Sequence, residues 1–168
     1  MNDKLLRIYL NDHLAGSVAA VEVAERCRES NEGSALGAYL HEFLGEVRED
    51  QAVLRAVLER IGGRENPVKQ AGAWLLEKVG RAKLNGALLE YSDLSRVVEL
   101  ELLLLGVRGK LGLWNALDAL GDPPAGIGDV DLPALRERAE HQLNQLEAHR
   151  LDAVRRAFAT SEAARPGH

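Results

Sequence analysis

Hydrophobic positions recur every three or four residues along most of this chain, and this spacing predicts helices rather than strands. Four long segments show it, and each begins at a polar residue suited to capping a helix N-terminus. The predicted helices run from about Asp3 to Glu29, from Ser34 to Gly62-Gly63, from Ser92-Asp93 to Leu120, and from Asp131 to Phe158. A shorter helix is predicted from Asn66-Pro67 to about Arg81.

The lengths of the connections predict how these helices are arranged. Residues 30–33 form a short link that favours an antiparallel helix pair, and the longer loop at about 121–130 again permits one. The link between helices two and three is long and contains the short helix. We therefore predict one all-α domain over residues 1–160, followed by a frayed tail at 161–168. Its expected fold is an antiparallel four-helix bundle with a short extra helix in the long crossover.

One carboxylate interrupts the apolar stripe of the second helix. The stripe consists of Leu40, Phe43, Val47, Asp50, Leu54, Val57 and Ile61. A lone buried carboxylate is unfavourable unless a cation, a proton or a metal ion compensates it. The sequence therefore predicts a partner for Asp50 inside the bundle.

The first hairpin predicts His13 as that partner. His13 and Asp50 each lie about 18 residues from the turn, so they should stand at one level along the bundle. Pairing would raise the pKa of His13, and the resulting stabilisation would be lost as the pH climbs. The same counting places Ser17 opposite Glu46.

The last two helices repeat this arrangement. Glu101 should lie roughly level with Arg150, and side-chain reach allows Arg108 to approach Glu147, in a register that the long loop leaves open by a turn or more. Three interpretations remain open: a dry network of ion pairs and hydrogen bonds, a metal site, or charges that face solvent. The predicted network comprises His13, Ser17, Glu46, Asp50, Glu101, Arg108, Glu147 and Arg150.

Charge and composition exclude several classes of protein. The net charge of −5 argues against a nucleic-acid-binding protein, which usually carries a basic face. Cys27 is the single cysteine, so it is expected to be buried filler, with no internal disulfide. The apolar stretch 97–107 is too short to span a membrane, and the N-terminus lacks a signal sequence. We therefore expect a cytoplasmic protein. The sequence contains no Gly-x-Ser-x-Gly motif and no phosphate-binding glycine loop, so it gives no support for hydrolase chemistry.

The first two helices resemble those of the ferritin-like superfamily. The run 10–14 is similar to the start of the first bacterioferritin-type helix, and the metal-binding glutamate of the family falls on Ser17. In the second helix, Glu46 matches the glutamate of the Glu-x-x-His motif, but Glu49 stands in place of the histidine.

The resemblance continues in the last two helices. Glu101, or less favourably Glu99, matches the bridging glutamate, and Glu147 matches the second motif, with Arg150 in place of its histidine. A di-iron centre of this family uses four carboxylates and two histidines. Both motifs are therefore broken here, and Arg150 puts a permanent positive charge where a cation would bind.

The resemblance implies a fold but not the family's chemistry. We expect a non-enzymatic bundle without cofactor, a protein-interaction or self-associating module, with a homodimer as the default. The alternative is a divergent iron- or manganese-dependent oxidoreductase or metal-storage protein, with ligands from Glu46, Asp50, Glu101, His13 and Glu147. Stretches 77–86, 91–96 and 106–110 also resemble small ferritin-like proteins without established activity. Gly106–Gly112 and Lys78–Gly86 are expected to allow close helix packing or to form a small-ligand or partner groove.

Overall fold

The computed structural model describes residues 2–65, 91–121 and 127–159, and all regular structure in these ranges is α-helical. Four helices are present: α1 (Asp3–Glu29), α2 (Ala35–Arg60), α3 (Asp93–Asp118) and α4 (Leu132–Phe158). They confirm the predicted all-α four-helix architecture. The predicted short helix at 67–81, the 78–86 stretch and the C-terminal tail lie outside the described residues.

Polar side chains begin all four helices where the sequence predicts them. Asn2, Ser34, Ser92 and Asp131 each accept a hydrogen bond from the backbone N–H three residues later. These bonds satisfy N–H groups that have no partner within the helix. Gly62 follows α2 with a φ of 71°, which glycine adopts without steric cost.

Two hydrophobic clusters fix the directions of the helices. One joins α1 near its C-terminus to α2 near its N-terminus, and it includes Val23, Leu40, Leu100 and Leu146. The other joins the N-terminal half of α1 to the C-terminal half of α2, and it includes Leu10, Leu58, Trp114 and Leu135. Helix α1 is therefore antiparallel to α2 and α3, whereas α2 and α3 run in the same direction. The end of α2 and the start of α3 lie at opposite ends of the bundle.

The four helices do not pack equally closely. Helix α1 packs along both α2 and α3, and α3 packs along α4, but the α2 and α4 backbones approach each other at few points. The turn before α2 is tight, because a Cβ atom at Gly37 would collide with the backbone oxygen of Asn31. No helix within the described ranges combines the length and apolarity needed to cross a bilayer.

Candidate functional site

Asp50 is buried in the bundle and bears two positively charged partners. The residue is 3 % exposed. Lys110 Nζ from α3 donates to its Oδ2 atom, and Arg138 Nη1 from α4 donates to its Oδ1 atom at 3.0 Å. Arg138 also lies 3.0 Å from the exposed carboxylate of Glu49. Helices α3 and α4 therefore each supply a cation that compensates the charge of Asp50.

Gln142 extends this arrangement to a second carboxylate. The residue is fully buried, and its Oε1 atom accepts a hydrogen bond from Lys110. Its Nε2 atom donates to Glu46 Oε2 at 2.6 Å. Burial lowers the pKa of Lys110, and the neighbouring carboxylates of Asp50 and Glu46 oppose that shift. We call Glu46, Asp50, Lys110, Arg138 and Gln142 the central network.

The predicted pairing of His13 with Asp50 is wrong. His13 instead packs edge-to-face on Tyr9, with 4.6 Å between ring centroids. Burial lowers the pKa of His13, and the carboxylate of Asp12 only partly opposes this shift. The sequence predicted a raised pKa, so the sign is reversed. The two residues nevertheless lie at a similar level along the bundle, as counting from the turn predicts, because both line the same cavity.

Ser17 also has a different partner from the one predicted. Its Oγ atom accepts a hydrogen bond from Gln51 Nε2 at 3.0 Å and donates to the backbone oxygen of Leu14 at 2.6 Å. Glu46 bonds to Gln142 instead. Gln51 of α2 is therefore the partner of Ser17, and Gln142 of α4 is the partner of Glu46, whereas the sequence paired Ser17 with Glu46.

Arg150 lies at the same level as Glu101, as the register predicts. Its guanidinium donates two hydrogen bonds of 2.7 Å to Glu147 and lies 3.6 Å from Glu101. The hydrogen bonds from Arg150 lower the pKa of Glu147. Both carboxylates are largely in contact with solvent. Arg108 is exposed and forms no ion pair with Glu147 among the described residues, so that predicted contact is wrong.

The five residues considered as metal ligands are not brought together. Glu46 and Asp50 belong to the central network, His13 packs on Tyr9, and Glu101 and Glu147 surround an arginine. Across residues 2–65, 91–121 and 127–159, no group of three or more His, Cys, Asp or Glu side chains is placed to hold a metal ion.

A second polar cluster lies where α1 meets the start of α3. Glu99 is 5 % exposed, and its Oε1 atom accepts a 2.6 Å hydrogen bond from Arg26 Nε. The Oε2 atom has no hydrogen-bond partner within the described part of the chain. Asn31 Nδ2 donates to Tyr91 Oη at 2.8 Å. Burial, together with the Glu99 carboxylate, raises the pKa of Cys27 to about 12, so this thiol stays protonated near neutral pH.

A cavity of about 520 Å³ lies between α1, α2 and α3. Its polar wall groups are concentrated near Tyr9–Ser17 of α1 and Gly109–Trp114 of α3, together with Asp50 and Gln51. The other end of the cavity is formed mostly by carbon atoms of Ala20, Val23, Phe43, Leu102, Leu103 and Val107. Trp114 is 1 % exposed, and its Nε1 atom donates to no acceptor in the described ranges. The cavity therefore has one polar end and one apolar end.

The lowered pKa of His13 predicts a particular dependence of stability on pH. Its ordinary value is 6.5, and burial lowers the folded value. The unfolded chain therefore takes up this proton first, so the stabilisation is complete above about pH 6.5 and is lost as the pH falls toward the folded value. We expect His13→Gln to reduce the loss of unfolding free energy between about pH 7.5 and 5.5, as measured by urea denaturation.

His41→Gln is the matched control, since His41 is an exposed histidine on α2. It should leave the dependence unchanged. Identical curves for the wild type and His13→Gln would contradict the prediction.

Comparison with known proteins gives no match: no family model, no curated protein and no solved structure is significantly similar to this chain.

Proposed function

We propose that this chain is a non-enzymatic, ferritin-like bundle that acts by binding, and that its own ion pairs replace the metal site of that superfamily. The observation that carries the proposal is the pair of cations on Asp50. An ammonium and a guanidinium occupy the carboxylate oxygens that a metal ion would need. A metal ion would have to displace both groups and leave their charges unpaired, which is unfavourable in a buried site.

The order and direction of the helices support the ferritin-like part of the proposal. Helices α2 and α3 run in the same direction, so two antiparallel pairs are joined by a long connection. Ferritin-like bundles have a single long crossover of this kind. The guanidinium of Arg150, bound to Glu147, agrees with the same interpretation, because it occupies the position of a motif histidine.

Elemental analysis tests the proposal directly. The full chain, purified without chelator and then incubated with iron(II) or manganese(II), should retain no stoichiometric metal after desalting. Asp50→Asn is the matched variant, since it keeps the side-chain shape but removes the charge. One metal ion per wild-type chain that is lost in Asp50→Asn would contradict the proposal and would favour the divergent metal-dependent alternative.

Self-association as a homodimer stays a prediction from the resemblance. Large apolar side chains are exposed on the described helices, among them Leu5, Ile8, Leu94, Leu105 and Phe158. Scattered apolar residues of this kind are ordinary on monomeric proteins and do not define an interface. The cytoplasmic location and the lack of nucleic-acid partners likewise stay predictions.

A further inference from the structure

We propose that a second copy of this chain docks antiparallel on the outer face of α3, with the two Leu105 side chains meeting at a two-fold axis. The inference names an interface and a register that neither the proposed function nor the resemblance supplies. It goes beyond the proposed function, since oligomeric state and metal content are separate measurements that succeed or fail independently.

Helix α3 carries an apolar stripe on the side that faces away from the core. Its members recur at helical spacing and are exposed or only partly buried: Leu94, Val98, Leu102, Leu105, Gly109, Gly112 and Ala116. Leu105 at the centre is 70 % exposed. Exposure of single residues does not define an interface, but a continuous apolar stripe along a helix usually lies against another element.

The sizes of the side chains in this stripe change at Leu105. Large side chains lie eleven, seven and three residues before it, at Leu94, Val98 and Leu102. Small residues lie four, seven and eleven residues after it, at Gly109, Gly112 and Ala116. Two antiparallel copies of α3 centred on Leu105 therefore place each large side chain opposite a small residue. A parallel pair would place large opposite large, so the stripe is complementary to itself in one direction only.

Two glycines provide space for the side chains of the partner. A Cβ atom at Gly109 or at Gly112 would meet no other atom within 4 Å, so neither glycine is required by packing inside the described part of the chain. Glycine inside a helix is unfavourable, and a close contact with another element is the usual reason for it. In the antiparallel register, Val98 of the partner subunit fills the space at Gly112.

Charges along one edge of the stripe fit the same register. Glu101 and Arg108 are exposed on that edge, four residues before and three residues after Leu105. A two-fold axis at Leu105 keeps this edge on the same side and brings Glu101 within about one residue of the level of Arg108 of the partner subunit. Glu101 remains 52 % exposed beside Arg150, so its carboxylate is accessible to a partner.

The two-fold axis therefore relates two pairs of opposite charge. Charge pairs at the edge of a helix interface mainly determine its direction and register. A parallel pair would leave Glu101 and the arginine seven residues apart along the axis. Apolar shape and edge charge thus favour the same antiparallel arrangement, and these two properties do not depend on each other.

Sedimentation equilibrium of the full chain tests whether the dimer exists. We expect twice the mass of one chain, with a dissociation constant in the micromolar range, because a single helix pair forms a small interface. A single-chain mass at every concentration up to about 1 mM would overturn the proposal. It would leave this face to residues 66–90 of the same chain or to a different protein.

Leu105→Glu tests the position of the axis. It removes the central apolar contact and places two carboxylates against each other, so the dissociation constant should rise by about 100-fold or more. Ala52→Glu is the matched control, because it adds the same charge at an exposed position of α2, which α1 separates from α3. It should change the constant by less than about twofold. Equal effects of the two substitutions would overturn the proposal.

Gly112→Leu tests the fit between large and small residues. The added side chain occupies the space for Val98 of the partner subunit, so affinity should fall by about tenfold or more. Gly45→Leu on α2 is its control, since Gly45 is also exposed and has the same open surroundings. Both changes raise helix propensity, and circular dichroism checks that both variants fold. A dimer that tolerates Gly112→Leu as well as Gly45→Leu would contradict the register.

Reversal of the edge charges tests the direction. Arg108→Glu should weaken the dimer by about tenfold, and adding Glu101→Arg to the same chain should restore most of the affinity, since opposite charges again face each other. Effects that simply add in the double variant would exclude this pairing.

Disulfide formation provides an independent measure of the register. Val98→Cys and Gly112→Cys are prepared as separate chains, mixed and oxidised, while the buried Cys27 stays unreactive. The antiparallel register predicts mainly the mixed disulfide-linked dimer, because residues 98 and 112 lie opposite each other. Predominance of either homodimeric disulfide would overturn the proposal.

Discussion

Replacing Asp50 with alanine is expected to destabilise the bundle by about 3–5 kcal/mol, because it leaves a buried ammonium without its carboxylate. The Lys110 side chain is 15 % exposed and the Asp50 side chain 4 %, so solvent screens this pair only weakly. Urea denaturation of the full chain, followed by far-ultraviolet circular dichroism, gives the change in unfolding free energy. Arg138 adds less to the loss, since its partly exposed side chain can turn toward Glu49.

Glu49→Ala is the control for this measurement. Glu49 also contacts Arg138, but its side chain is 69 % exposed. Exposed ion pairs contribute about 0–1 kcal/mol, so this variant should lie close to the wild type. If Asp50→Ala costs no more than Glu49→Ala, the central network is not a buried ion pair in solution.

The double variant Asp50→Leu with Lys110→Met separates pairing from burial. Removing both charges together leaves no unpaired ammonium, and Arg138 keeps Glu49 as its partner, so most of the stability lost in Asp50→Ala should return. Recovery of this kind would show that the two residues act as a unit. A double variant that is less stable than Asp50→Ala would contradict that conclusion.

Trp114→Ala should lower the free energy of unfolding by about 3–5 kcal/mol, which is the second of the two largest effects that we expect. The substitution removes a fully buried aromatic side chain from the hydrophobic cluster at one end of the bundle. Trp114→Phe should lower the free energy of unfolding by less than about 1.5 kcal/mol, since it keeps a smaller aromatic ring in the core and removes the unpaired N–H group. The same urea denaturation experiment measures both variants.

Comparable losses for Trp114→Ala and Trp114→Phe would contradict this interpretation. They would show that the indole N–H stabilises the folded chain and therefore has a partner. A small loss for Trp114→Phe would show that the ring, and not its N–H group, contributes most of the stability at this position.

The helices could be predicted closely from the sequence because their signals are local. Capping residues such as Ser34 and Asp131 and the glycine after α2 act within one turn, so their positions in the chain are sufficient. The directions of the helices followed from connection lengths and need no knowledge of side-chain contacts. The crossover segment falls outside the described residues, so that prediction stays open.

The partners of the buried carboxylate could not be predicted in the same way. Counting residues from the turn gave the level of Asp50 correctly, but it did not show which neighbouring helix its side chain would meet. Lys110 lies in the glycine-rich stretch Gly106–Gly112, for which the sequence predicted close helix packing or a groove and not a charged partner for Asp50. Gln142 is the residue that could have indicated a polar network on α4. It follows Leu135 and Ala139 on the inward stripe of this helix, where an apolar residue would be expected.

Close backbone packing joins the helices in the order α2, α1, α3, α4, which by itself makes a row with α2 and α4 as its two edges. Arg138 and Gln142 of α4 reach Asp50 and Glu46 of α2 directly, and Lys110 of α3 bonds to both Asp50 and Gln142. The spacing of the two edges at this level therefore depends on the reach of a few polar side chains as well as on the apolar residues that α2 and α4 contribute to the core. We therefore expect a shorter side chain at Arg138 or Gln142 to alter the distance between α2 and α4 more than it alters either helix.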